Sequence, residues 1–157
     1  MARGHAFWIT NRIANPILRR VLRTPVGRIL GRSLAVVRYT GLRTGRPHEL
    51  VCQYARDGDD VWILVGQADR KTWWRNLRSP TAVELWLAGR HLPATAVAVL
   101  GAEDAEECGR GLRAYVAHVP RAAASLGLSG AGDRKGLAAT VPGTVLVRAT
   151  VPSRGPD

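Results

Sequence analysis

Arg43, Thr44, Arg46 and His48 sit close together in the stretch Thr40-Gly41-Leu42-Arg43-Thr44-Gly45-Arg46-Pro47-His48. Guanidinium groups grip phosphate or carboxylate through paired N–H donors. The threonine hydroxyls at 40 and 44 add further donors. Gly41 and Gly45 can take positive φ and turn backbone N–H groups toward one anion. No Lys-Ser/Thr pair closes the stretch as in a Walker loop, and its glycine spacing is not that of a dinucleotide fingerprint. Taken by itself, it is either an anion-binding loop or a solvated turn.

A second stretch supplies complementary chemistry. Residues 66–77 read Gly-Gln-Ala-Asp-Arg-Lys-Thr-Trp-Trp-Arg-Asn-Leu. Two adjacent tryptophans are costly to leave in water, so one is expected in the core and the other along a groove. Asn76 follows Trp73 by three and shares its helix face. The stretch reads either as a core tryptophan pair with a polar cap or as the wall of a site for a flat ligand. Together the two stretches suit a molecule with an anionic tail and a planar head, flavin-like or nucleotide-like.

The elements that would position these residues are mostly strands. Apolar, β-branched runs at 34–40 and 48–55 flank the first stretch. Asp57-Gly58 signals a hairpin turn into a strand at 61–65. A short helix is expected at 71–78, before Pro80. Alternation at 82–88 and a run at 91–100 predict a hairpin turning at Gly89-Arg90. An acidic first turn opens a helix at 102–119, which Pro120 breaks. Shorter helical pieces follow to about residue 140, then a last strand at 144–150. The expected fold is α+β, mainly β: a split β-barrel of about six mostly antiparallel strands with peripheral helices.

The chain has 157 residues, read as one domain over 1–157. Its net charge of +11 is uneven. Ten arginines and no acid lie in residues 1–48, whereas 13 basic and 12 acidic residues share the rest. Residues 1–33 read as a basic amphipathic helical segment, with Asn15-Pro16 and Thr24-Pro25 as helix starts. That segment either packs on the domain with a solvated charged face or rests on an anionic membrane surface. Residues 153–157 read as a frayed tail. No apolar run is long enough for a transmembrane helix, and no signal peptide is seen. Cys52 and Cys108 are far apart, which fits reduced thiols in a cytoplasmic protein.

The order of strand, T-G-x-[RK]-[ST]-G-x-P, D-G hairpin, strand, W-x-x-N-L and x-P resembles the deazaflavin-dependent nitroreductases. These are flavin/deazaflavin oxidoreductases with a split β-barrel. The residues that carry the likeness are Thr40 to Pro47, Asp57-Gly58, Trp73, Asn76-Leu77 and Pro80, within roughly 15–100. The resemblance implies coenzyme F-420, a deazaflavin with a phospholactyl-polyglutamate tail, and hydride transfer to quinones, nitroaromatics or other electron-poor acceptors. It places Arg43, Thr44 and His48 on the phosphate and acidic tail, with Arg46 as a further contact. It places Gly66 and Gln67 where a loop approaches the cofactor, and Trp73 and Asn76 beside its ring system. At His48 the chain departs from the family, which usually has Arg or Lys there.

Tyr115 and His118 are candidate proton donors, three apart on the expected helix; water is the alternative. Flavin mononucleotide (FMN) is the alternative cofactor, and a non-catalytic deazaflavin or flavin carrier the alternative role. A basic membrane or nucleic-acid interaction protein is a third reading. No reader motif is present, so nucleic acid is not expected as a partner. A monomer is expected rather than a dimer, with peripheral attachment to the inner face of the cell membrane as an option. No serine lies in a nucleophile elbow. The four histidines have no ligand spacing, so no metal is expected.

Overall fold

The computed structural model describes residues 34–153 together with Arg20 and Arg23. The remainder of the expected helical segment at 1–33 and the tail at 154–157 lie outside the described residues.

Seven strands form one antiparallel sheet: β1 (Leu34–Thr40), β2 (Pro47–Gln53), β3 (Ala55–Asp57), β4 (Asp60–Leu64), β5 (Thr81–Leu87), β6 (Arg90–Leu100) and β7 (Val145–Thr150), in the order β2-β1-β5-β6-β7-β4-β3. The sequence predicts about six strands, because it runs β2 and β3 together. The break falls at Tyr54. Before it, the chain pairs with β1, Ala35 opposite Cys52; after it, Ala55 pairs with Trp62 of β4. A strand that changes partners must leave the ladder for at least one residue. The expected D-G turn is present, with Gly58 at φ +62.

Period-two alternation builds two cores on the two faces of this curled sheet. Ala35, Val37 and Tyr39 of β1, Val61 and Ile63 of β4, Val83, Leu85 and Leu87 of β5, and Val145 and Val147 of β7 point into the main core. Trp62, Val99 and Leu146 point the other way and meet a helical layer. That layer comprises α1 (Ala105–His118), α2 (Pro120–Ser125) and α3 (Arg134–Thr140). Helix α1 starts later than the acidic run suggests. Asp104 caps it, accepting from the Glu107 N–H at 3.1 Å, while Ala102 and Glu103 stay in the preceding turn. Its buried face is Cys108, Gly111, Leu112, Tyr115 and Val116. Each fully buried leucine of these cores contributes about 1.5–3 kcal/mol relative to exposure.

Charged groups occupy the rim of the helical layer. Glu107 of α1 accepts from Arg110 and Arg148, and Arg110 also reaches Asp60 at 3.2 Å. The hydrogen bond from Arg110, more than the charge of Arg148, holds the Glu107 carboxyl below the usual carboxylate range. One arginine of the basic first third also has a structural partner. Arg23 pairs with Glu49 of β2, and its guanidinium lies 4.4 Å from the centroid of the Trp86 ring.

Candidate functional site

The glycine-rich stretch is the connection between β1 and β2, whose ladder ends at Thr40 opposite Pro47. Gly45 takes φ +64, a conformation costly for other residues. Gly41 does not take positive φ, and a side chain there would meet close neighbours. A Cβ there would lie 3.0 Å from both His48 Nε2 and Thr44 Oγ1. The turn also uses several of its own amides. Gly45 donates to the Gly41 carbonyl and Gly41 to the Arg46 carbonyl, both at 2.9 Å. Arg46 N–H donates to Thr44 Oγ1 at 3.3 Å. The two glycine amides therefore do not converge on an outside anion as the sequence suggests. Among the described residues, the backbone amides of Arg43 and Thr44 have no acceptor. The Arg43 and Arg46 side chains are exposed and have no ion-pair partner there either.

The tryptophan pair divides as its chemistry requires. A 3-10 turn, Trp73–Leu77, buries Trp74 and Leu77. Trp74 Nε1 donates to the Ala68 carbonyl at 3.0 Å, which satisfies its polar edge inside the core. Trp73 stays half-buried against the main core. Tyr39 joins it, with ring centroids 6.3 Å apart, and stacks on His48 at 5.4 Å and 24°. Trp73, Tyr39 and His48 thus form a row of flat groups beside the glycine loop. The ladder explains the last two: Tyr39 and His48 are cross-strand partners on the inner face.

Asn76 joins the two stretches. Its Oδ1 accepts from the Leu42 backbone N–H at 2.9 Å, and its Nδ2 donates to the Trp73 carbonyl at 2.9 Å. One amide side chain thereby fixes the basic loop against the turn that carries Trp73. The sequence suggests Asn76 as a polar handle for a ligand; the structure gives it this clamp. Asn76→Ala removes both bonds, a loss of about 1–3 kcal/mol at roughly 0.5–1.5 kcal/mol each. We expect faster hydrogen exchange at Leu42 and a melting temperature lower by roughly 3–8 °C. Unchanged exchange at Leu42 would rule out the clamp.

The segment after β4 leads into the turn that carries Trp73. A Cβ added at Gly66 would meet nothing within 4 Å, so the backbone there faces open space. Gln67 takes φ 54 and its carbonyl accepts from both Arg70 and Lys71 N–H at 3.0 Å, which turns the chain sharply. Lys71 comes near Cys52 on the inner face of β2. Burial pushes the Cys52 thiol up to about 12, with the Lys71 charge pulling it down.

Tyr115 and His118 do not join the row of Trp73, Tyr39 and His48. Tyr115 is buried in a separate small cluster with Ala55, Val119 and Ala122. Burial raises its phenol to about 12, and the neighbouring Cys52 adds to the rise. His118 is exposed, and its Nδ1 donates to the Ala114 carbonyl at 2.9 Å. Residue types and spacing do not single out Tyr39 or Cys52 for the site. Tyr39 has a signal all the same: once Thr40 and Pro47 close the hairpin, alternation puts Tyr39 opposite His48. Cys52 has the same one, further along the strand.

A Gly/Arg loop clamped by the asparagine of W-x-x-N-L, between β1 and β2 of a split barrel, is also a sequence pattern. Residues 8–124 match the family described as F420H2-dependent quinone reductase. The chain belongs to that family. Its members are reductases that use the reduced deazaflavin, so the enzyme class and the cofactor expected from the sequence are those of the F420H2-dependent quinone reductases. No protein with a curated description matches the chain. Among solved structures, an F420-H2 dependent reductase (FDR-A) superimposes with a TM-score of 0.53 at 18% identity, over 74% of this chain and 94% of that one. A candidate 5-nitroimidazole antibiotic resistance protein from Bacteroides thetaiotaomicron gives a TM-score of 0.50 at 13% identity, over 80% and 76%. At these identities the likeness is one of fold.

Proposed function

We propose that the chain binds coenzyme F-420 between the 41–46 loop and Trp73, and reduces a quinone or a similarly electron-poor acceptor such as a nitroaromatic. The Asn76 clamp carries this reading, because it brings an anion-binding loop and an aromatic wall into one site. The residues suit the group. Arg43 and Arg46 have no acid among the described residues to neutralise them, and two loop amides lack acceptors there. These four donors, with the Thr44 hydroxyl and the His48 ring, would hold the phosphate and carboxylates of the tail. Trp73 would border the ring system, and the open backbone at Gly66 and Gln67 would let it approach closely.

When bound, the reduced deazaflavin supplies a hydride. The protein contributes position: the clamped loop fixes the tail, and the row of Trp73, Tyr39 and His48 limits how the ring and the acceptor can lie. The proton comes from water in this reading, because Tyr115 is buried in another cluster and holds its proton up to about 12. Cytoplasmic action fits two free cysteines. No described helix is long and apolar enough to cross a membrane.

Fluorescence titration with oxidised F-420, run beside FMN, tests the binding. Oxidation of the reduced cofactor with a naphthoquinone or a nitroaromatic tests the reaction. We expect saturable F-420 binding, weaker FMN binding, and turnover on the quinone. Binding of FMN alone would move the chain to another cofactor, and binding without turnover on either acceptor would make it a carrier.

A further inference from the structure

A notch lies toward the start of β1, at the end away from the glycine loop. β6 is longer than β7: their ladder stops at Thr95 opposite Thr150, and residues 90–94 run on past it. The chain after β7 leaves β6, since Val151 N–H bonds to the Asp59 carbonyl at 2.9 Å and Pro152 has no N–H to donate. A cavity of about 220 Å³ opens in this notch. Val151 of the main core and Leu92, packed against that core, give it an apolar inner side. Arg56 and Arg90 line it as well. Arg56 Nε donates to the Gly58 carbonyl at 3.1 Å, which fixes the guanidinium and leaves its terminal nitrogens without an acceptor among the described residues. Arg90 has no partner among them. The nearby acid, Asp59, accepts instead from the Ser153 hydroxyl and pairs with neither arginine.

We propose that this notch binds a small organic monocarboxylate, with its carboxylate between Arg56 and Arg90 and its apolar body on Leu92 and Val151. Two arginines against the single carboxylate of Asp59 leave the lining net positive, and each guanidinium has paired donors suited to a carboxylate. The apolar inner side favours an organic body over a bare inorganic anion. Asp59, in the same lining, opposes a dianion such as phosphate more than a monoanion. The volume falls below that of pockets for drug-sized ligands, so the molecule is compact. The notch is remote from the cofactor site. Arg90 lies at the turn after Leu87, which pairs opposite Ala35 near the start of β1, whereas the 41–46 loop follows its end. A strand of this length spans about 20 Å.

The test is an amide chemical-shift titration of the full chain with benzoate, with benzyl alcohol and inorganic phosphate in parallel. Saturable shifts are expected at Arg56, Arg90, Leu92 and Val151 with benzoate in the millimolar range, and none at Gly45. Benzyl alcohol and phosphate are expected to bind at least about tenfold more weakly, since each lacks one half of the recognition. Arg90→Ala and Arg56→Ala, both at exposed positions, are each expected to weaken benzoate about tenfold or more and to leave F-420 affinity unchanged. Absence of shifts at the notch overturns the proposal. So does phosphate binding as tightly as benzoate, or benzoate affinity unaltered in both variants.

Discussion

Replacing Arg43 and Arg46 together by alanine is expected to lower affinity for F-420 about a hundredfold, with almost no change in stability. Each guanidinium can make charge-assisted hydrogen bonds to the tail, and such bonds contribute about 1.5–3 kcal/mol apiece. Two of them convert to a factor of about a hundred or more in Kd. The stability side has the opposite expectation. Both side chains are exposed and neither has an ion-pair partner among the described residues, so their removal should change unfolding by no more than about 0.5 kcal/mol. Salt gives an independent readout. Affinity of the parent chain should fall as ionic strength rises, and the double variant should show a much shallower dependence. A deazaflavin ring lacking phosphate and carboxylates should bind both proteins equally. If the double variant binds full F-420 like the parent, tail recognition belongs elsewhere, and Arg70 and Lys71 become the residues to change.

That experiment probes what the sequence itself displays, namely residue types at close spacing. The β1–β2 hairpin, the D-G turn and the division of the Trp73-Trp74 pair follow from local rules of alternation and turn chemistry, and the structure has all three. The clamp is not legible in the same way. Asn76 and Trp73 lie three apart, so their shared face can be read directly. Asn76 and Leu42 lie 34 positions apart, and no spacing rule reaches across that distance. Gly41 shows a subtler limit. The sequence offers it as a source of positive φ, whereas its φ is not positive and a Cβ there would crowd the His48 and Thr44 side chains. A sequence shows that a position lacks a side chain but not which neighbour excludes one. Tyr115 is legible, yet the spacing to His118 misplaces it. Cys108, Leu112 and Tyr115 follow the helical period, which puts the phenol on the packed face of α1. Arg23 stands out as a free charge in the sequence only because Glu49 is 26 positions away.

The same lesson about glycine yields the largest expected effect on folding. Gly109 and Gly111 lie in one helix, and alanine is expected to act on them with opposite sign. Alanine favours a helix over glycine by about 1 kcal/mol wherever its methyl group has room. At Gly109 it has room: the added Cβ meets only Val141 Cγ2, at 3.8 Å. Gly109→Ala should therefore stabilise by up to about 1 kcal/mol. At Gly111 the added Cβ would lie 2.3 Å from Cε3 and 2.4 Å from Cζ3 of Trp62. That ring cannot swing aside, because Trp62 is fully buried on β4, between Ala55 of β3 and Arg148 of β7, with the Arg110 guanidinium 5.3 Å from its centroid. The helix must lift instead, and lifting α1 loosens Cys108, Leu112 and Val116 together. Overpacking of this kind costs roughly 3 kcal/mol or more, which exceeds the propensity gain. The net loss of about 2 kcal/mol or more should lower the melting temperature by roughly 4–8 °C. Calorimetry on the two variants checks the sign of each. Trp62→Leu in the Gly111→Ala background should recover part of the loss, since a smaller side chain relieves the contact, and the cycle of single and double variants measures that coupling. α1 packs on the Trp62 face of the sheet, opposite the face that carries Tyr39. Below its melting temperature Gly111→Ala should therefore keep the parent affinity for F-420, and a parallel loss of affinity would show that the helical layer and the site are coupled through β4.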